Sequence, residues 1–189
     1  GLGEGFTGGR ADGYKTRFSP TVSIESNRDA FRTLHLRHFL RAFPNGEFPE
    51  GYYRYLKGEI TLADLYEAHP IERGHADLSA HQISLGPDNH EHVRKLIARR
   101  LKGHSRWVLV GGPPCQAYSL VGRSRMMGDP NFEKDARHFL YLEYLRIIID
   151  HAPPVFVLEN VKGLLSATVE GGLVVNRILA DLSRPKEAL

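Results

Sequence analysis

The chain has 189 residues, 41% hydrophobic and 25% charged, which is ordinary globular composition and enough for one domain with a real core. A single cysteine excludes an internal disulfide and suits a reducing compartment. No apolar run approaches the roughly 20 residues of a membrane helix, no signal peptide is expected, and a net charge of +3 admits nucleic acid as a partner without arguing for it.

Gly1 to Gly13 is glycine-rich and opens with no strand before it. Thr21 to Ile24 reads as a short strand ending at Glu25. Asp29 to Phe43 has helical spacing, with Phe31, Leu34, His35 and His38 recurring at three and four residues. Pro44 to Pro49 is a breaker cluster. Tyr52 to Pro87 is polar and weakly periodic, and is read as two short helices. His92 to Leu101 is an amphipathic helix with Val93, Leu96, Ile97 and Leu101 on one face. Its basic residues Arg94, Lys95, Arg99 and Arg100, with Lys102, read as a solvated face. Trp107 to Val110 is an apolar run of the kind buried on both faces of a parallel sheet. Gly111 and Gly112 follow, read as a turn that lets a ligand approach. Pro113 and Pro114 then fix the backbone ahead of Cys115. Leu120 to Lys134 is a polar loop. Arg137 to Asp150 is a strongly apolar helix, Val155 to Leu158 a second buried-type strand, and Leu173 to Leu182 a last helix.

Strands alternating with helices, the strands apolar, predict an α/β fold with an open, largely parallel sheet. Ligands of such sheets bind beyond the carboxyl ends of the strands. Glu25, Cys115 and Glu159 fall at or just beyond strand ends, so a common edge would gather them into one site. A lone cysteine is more often a packing residue, and an isolated acid at a strand end more often caps or pairs. Together, a thiol and two carboxyl groups suggest covalent catalysis with a bound cofactor. A thiolate can attack carbon 6 of cytosine if a carboxylic acid, kept protonated by burial or like charge, hydrogen-bonds ring nitrogen 3. Carbon 5 then becomes able to take a methyl group. Glu159 is the candidate acid, and Glu25 the candidate carboxylate for ribose hydroxyls. The pairs His35 with His38 and His90 with His92 have loose metal-like spacing but no cysteine or carboxylate cluster beside them, so no metal is expected.

Pro113-Pro114-Cys115-Gln116 followed by Glu159-Asn160-Val161 resembles the cytosine carbon-5 DNA methyltransferase family. The resemblance implies a Rossmann-like S-adenosylmethionine-dependent methyltransferase fold with helices on both faces of the sheet, incomplete here. It implies Cys115 as nucleophile, Glu159 as the acid on the target base and Asn160 as the neighbour that braces the loop. Gly1-Leu2-Gly3-Glu4-Gly5-Phe6 resembles the tail of the family's cofactor loop, which nominates Gly1 and Leu2. Glu25 matches the carboxylate on the cofactor ribose, with Ser26 and Pro114 beside the adenine. Glu59, in Lys57-Gly58-Glu59-Ile60, is the nearest match to the family's third-strand acid. Leu140, in Asp135-Ala136-Arg137-His138-Phe139-Leu140, matches a leucine that touches the cofactor. Gln116, Ser119, Arg123, Arg125 and Lys162 become candidates for contact with double-stranded DNA.

The family's first strand would precede Gly1, and its Gln-x-Arg-x-Arg motif and target-recognition region have no counterpart before Leu189. The expectation is therefore a partial catalytic domain over residues 1–189, the front half of a base-flipping DNA cytosine methyltransferase in a prokaryotic cytoplasm. In a restriction–modification setting a cognate restriction endonuclease would be a further partner, and no membrane is expected. Three alternatives stay open. One is a transfer-RNA cytosine methyltransferase with the same two signatures. Another is a truncated half acting as a binding module. A cysteine hydrolase is the third, and it lacks a histidine nominated by spacing.

Overall fold

A computed structural model describes residues 2–8, 18–44, 47–112, 136–160, 162–166, 168–169 and 172–189. The chain divides into two compact units, one of Glu4–Ser84 and one of Gly1–Gly3 with Leu85–Leu189.

In the first unit, strand β1 (Ser23–Glu25) leads into helix α2 (Arg28–Arg41). Asn27 caps α2: its Oδ1 accepts from Asp29 N and Ala30 N, both at 3.0 Å. His35, His38, Phe39 and Leu40 form the buried stripe of α2. Phe31 and Leu34 are only half-buried, so the apolar face lies further along the helix than the spacing suggested. The stretch read as two short helices holds three and a strand: α3 (Glu50–Leu56), α4 (Leu62–Ala68), α5 (Pro70–Ser79) and β2 (Ala80–Gln82). Local signals set the starts of two of them. Thr61 and Asp64 form a reciprocal capping box at α4, and Pro70 occupies the first turn of α5. The core gathers Phe39, Leu40, Leu65 and Ala76, with Phe43, Tyr52 and Tyr66 packed against it.

A partly buried polar chain links three of these helices. The Tyr66 hydroxyl donates to His35 Nδ1 at 3.0 Å, and His35 Nε2 donates to Asp77 Oδ1 at 2.7 Å. Burial pushes the Tyr66 phenol up to about 12, so it stays a donor. His38 Nε2 meets Ser23 Oγ at 2.9 Å, tying α2 to β1. The two histidines whose spacing looked metal-like are thus satisfied as structural groups. Among the described residues no three His, Cys, Asp or Glu side chains are placed to hold a metal.

β1 and β2 pair in parallel, with Ser23, Ile24 and Glu25 level with Ala80, His81 and Gln82. The glycine-rich opening forms a short helix, α1 (Leu2–Gly8), where a loop tail was expected; Phe6 meets the ring of Phe18 edge-on at 5.3 Å.

In the second unit, α6 (His90–Leu101) precedes β3 (Val108–Gly111). Helix α7 (Ala136–His151) precedes β4 (Val155–Leu158), and β3 and β4 pair in parallel. A parallel pair needs a crossover, and α7 lies in it. A short hairpin, β5 (Thr168–Val169) with β6 (Gly172–Leu173), leads to α8 (Val174–Ser183). The described strands therefore form three two-stranded sheets. β3 and β4 are less buried than their apolar sequence implied. All four residues of β3 are half-buried, and Val155 and Phe156 are exposed. The reason is width: a pair of strands has no further strand on either side to shield it.

Helix α7 organises this unit. Tyr141 and Leu145 meet Leu164, Val174 and Ile178 in the core, and the Tyr141 hydroxyl donates to Ile178 O at 3.3 Å. Glu143, buried, pairs with Arg146 and lies 3.6 Å from His90 Nδ1, while His90 Nε2 lies 3.3 Å from Asp150. Among the described residues no helix is long and apolar enough to cross a membrane.

Leu145 is completely buried, whereas Leu179 is 56% exposed. Leu145→Ala is expected to cost about 2–5 kcal/mol and Leu179→Ala less than about 0.5 kcal/mol. Urea denaturation midpoints of the two variants check this.

Candidate active site

The carboxyl ends of β3 and β4 meet at one contact. The register sets Gly111 level with Leu158, which makes Gly112 and Glu159 the next pair. Glu159 N donates to Gly111 O at 2.9 Å, so the ladder runs on past both strands. A Cβ on Gly112 would stand 2.7 Å from Glu159 Cγ and 2.9 Å from Glu159 O. Nothing but hydrogen fits there. A Cβ on Gly111 would stand 3.0 Å from the ring of Tyr144. Neither glycine has a positive φ among the described residues. The sequence reading gave these glycines to a turn and an approaching ligand; what approaches Gly112 is Glu159 itself.

Tyr144 holds the pair from α7. Its hydroxyl donates to Val157 O at 3.1 Å, and burial pushes that phenol up to about 12. Sequence reasoning missed Tyr144, whose signal was only an aromatic within an apolar helix. Glu159 is exposed and Asn160 half-buried. The burial that the sequence reading invoked to keep Glu159 protonated is therefore not provided by the residues described around it. Lys162 is exposed on the short helix Lys162–Ser166, and Leu140 is half-buried on α7.

Glu25 closes β1 in the other unit. Its Oε1 accepts from Asn27 N at 2.8 Å, which fixes the carboxylate at the turn where α2 begins. Ser26, beside it, is exposed. Gln82 lies level with Glu25, and Ile83 N donates to Glu25 O at 3.2 Å. Gln82 was missed because strand β2 was not foreseen. Glu59 is not at a strand end: it sits in the turn after α3, exposed, with Arg54 Nε 3.3 Å from its Oε2. The strand that pairs with β1 comes 21 positions later, at Ala80, because α4 and α5 intervene.

Cys115, Pro114, Gln116, Ser119, Arg123 and Arg125 lie outside the described residues, as does Gly1. Leu2 is the first residue of α1.

A family model described as C-5 cytosine-specific DNA methylase matches residues 81–184. The type II methyltransferase M.Bpa9945I of Bacillus paralicheniformis is 33% identical over 184 residues, which cover 88% of this chain and 39% of that protein. M.FnuDI of Fusobacterium nucleatum, also a type II methyltransferase, is 47% identical over 74 residues, 39% of this chain and 19% of that protein. A putative type II methyltransferase of Methanocaldococcus jannaschii, M.MjaORF1200P, is 28% identical over 83% of this chain and 46% of its own length. The chain thus spans less than half the length of each of these relatives. No solved structure matches it.

Gly112→Ala is expected to destabilise the protein by about 1–3 kcal/mol, because the displaced neighbour is backbone as well as side chain. Gly74→Ala, inside α5 with nothing within 4 Å of the new Cβ, is expected to gain about 0.5–1 kcal/mol. Paired denaturation curves test the contrast.

Proposed function

The chain belongs to the C-5 cytosine-specific DNA methylase family, and from that premise we propose that the protein is the front, catalytic half of a DNA cytosine-5 methyltransferase. The observation that carries the reading is the contact of Gly112 with Glu159. Cys115 follows Gly112 by three residues, and three residues span at most about 11 Å. An acid and the only thiol of the chain are therefore tethered to neighbouring strand ends.

In this reading the target cytosine leaves the duplex, since carbons 5 and 6 are closed off within the stack. The Cys115 thiolate adds to carbon 6 while Glu159 hydrogen-bonds ring nitrogen 3. S-adenosylmethionine supplies the electrophilic methyl group that carbon 5 receives. Loss of the carbon-5 proton and departure of the Cys115 sulfur then restore the ring. Glu159 is suited to its part because the sheet fixes its backbone while its carboxyl group is open to an incoming base. Asn160, half-buried behind it, braces the segment.

The residues around Glu25 suit a ribose. The Glu25 carboxylate closes a strand and is held at Oε1 by Asn27 N, and an exposed hydroxyl, Ser26, adjoins it. Glu25 would hold the two ribose hydroxyls, with Ser26 beside the adenine; Gly1, Leu2, Pro114 and Leu140 are the further positions that the family resemblance assigns to the cofactor. Glu59 is the weakest member of this set, being paired with Arg54 away from any strand end. Gln116, Ser119, Arg123, Arg125 and Lys162 would contact the DNA backbone. The setting we propose is a prokaryotic cytoplasm, with a cognate restriction endonuclease as a partner.

Three substitutions test the mechanism in the enzyme with its complete reading frame. Cys115→Ala is expected to abolish methyl transfer and leave cofactor binding intact. Glu159→Gln is expected to lower kcat by about 10²-fold or more. Glu25→Ala is expected to raise KM for S-adenosylmethionine at least about tenfold, since it removes a partner of the bound ribose. Labelled-methyl transfer to DNA and to transfer RNA reads all three and separates the two substrates; turnover by Cys115→Ala would overturn the proposal.

A further inference from the structure

Charge is unevenly distributed along this chain. Residues 92–128 contain eight Lys and Arg and no Asp or Glu. Taking those eight from the total of 25 leaves 17 against 22 acids, so the rest of the chain is net −5. The described part of the acid-free stretch is the body and end of α6 and the turn into β3.

Within that part five of the six cations, all but Arg100, fall into two groups. Near the start of α6, Glu91 takes both neighbours: Arg94 Nε lies 2.7 Å and Lys95 Nζ 3.2 Å from its carboxylate. Those two hydrogen-bonded cations hold the Glu91 carboxyl down at about 2. Arg99, Lys102 and Arg106 have no such partner among the described residues, and all three are exposed. His104 is exposed between them. The turn is tight: Gly103 has φ +84°, and His104 N donates to Leu101 O at 2.8 Å. Three full positive charges therefore gather around one helix end. The helix dipole offers only about half a negative charge there. The described residues leave the surplus uncompensated, and it costs self-repulsion that an external polyanion would relieve.

The segment Lys102-Gly103-His104-Ser105-Arg106 contains no apolar side chain, so it has nothing to insert into a bilayer. It presents cations, a hydroxyl and an imidazole, the groups that meet phosphate oxygens. It also lies at the amino end of β3, whereas Gly112 and Glu159 lie at the carboxyl end. A surface here is not the one that would face the flipped base.

We propose that Arg99, Lys102 and Arg106 form a second, sequence-independent contact for the phosphate backbone of duplex DNA, at the strand end remote from Glu159. The choice of duplex DNA among polyanions rests on the methyltransferase reading; the uncompensated charge does not. Such a surface would hold the protein on flanking DNA between target sites.

The test is binding of the protein to an alternating A·T duplex, which has no cytosine and so cannot report on methyl transfer. Binding constants are measured between 50 and 200 mM salt for the parent and for R99Q/K102Q/R106Q. Each phosphate contact contributes about 0.9 to the slope of log K against log salt. The triple variant is expected to lose about 2–3 from that slope and at least tenfold in affinity at 50 mM salt. A second variant, R54Q/R73Q/R184Q, removes the same net charge from cations that already face acids at 3.3, 3.7 and 3.2 Å. It is expected to leave the slope within about 0.5 of the parent. Equal losses in both variants would mean that net charge alone acts, and would overturn the proposal. So would an unchanged slope in the first variant, which would leave an acidic protein as the partner to seek. Because the duplex has no target base, either result stands whether or not Cys115→Ala abolishes methylation.

Discussion

The close approach of two backbones at Gly112 and Glu159 is the constraint on which the candidate site depends. Parallel pairing brings the ends of β3 and β4 level, and the ladder continues through Glu159 N to Gly111 O. At that separation the stem of Glu159 fills the space of any side chain at 112. The glycine is required by the neighbouring strand rather than by an unusual dihedral. Its consequence is positional: the acid's backbone cannot drift from the strand that leads to Cys115. A strand-end carboxyl group is held in place better by sheet hydrogen bonds than by a loop.

Helix α7 carries that constraint to the rest of its unit. One side presents Tyr144 to the strand ends, where the hydroxyl meets Val157 O and the ring covers Gly111. Another presents Tyr141 and Leu145 to α8. A third presents Glu143 and Asp150 to His90 of α6. A helix contacted on three sides must be apolar or paired nearly all round. That explains why α7 reads as strongly apolar without a clean stripe, and why its buried acid is matched by Arg146 and His90 rather than exposed.

The parts that were legible in the sequence are those whose signal is local. Val155 to Leu158 and the amphipathic α6 emerged close to their observed bounds because apolar runs and 3.6-residue periodicity report directly on strand and helix. The family was legible through the residues flanking Cys115 and Glu159. The segment from Tyr52 to Pro87 was not, and the reason is physical. α3 and α4 are seven residues each, too short to show a period, and β2 is three residues whose identity as a strand comes from pairing with β1. A strand defined by its partner has no signature of its own. Glu59 was nominated only as the nearest match to the family's third-strand acid within that stretch; it lies in the turn after α3, and the strand beside β1 is β2. Gly112 was recognised as special, but its cause lay 47 residues away in Glu159.

Two histidines, His35 and His90, show how the same residue type is settled by geometry. His35, between Tyr66 and Asp77, has both ring nitrogens occupied by groups from two other helices. His90 has carboxylates facing both ring nitrogens. Each ties together helices that are far apart in sequence. Spacing alone made His35 with His38, and His90 with His92, resemble ligand pairs. At His35 the hydroxyl of Tyr66 and the carboxylate of Asp77 take up both ring nitrogens, which accounts for that ring as a structural group. His35 and His90 both hold helices of their own unit together.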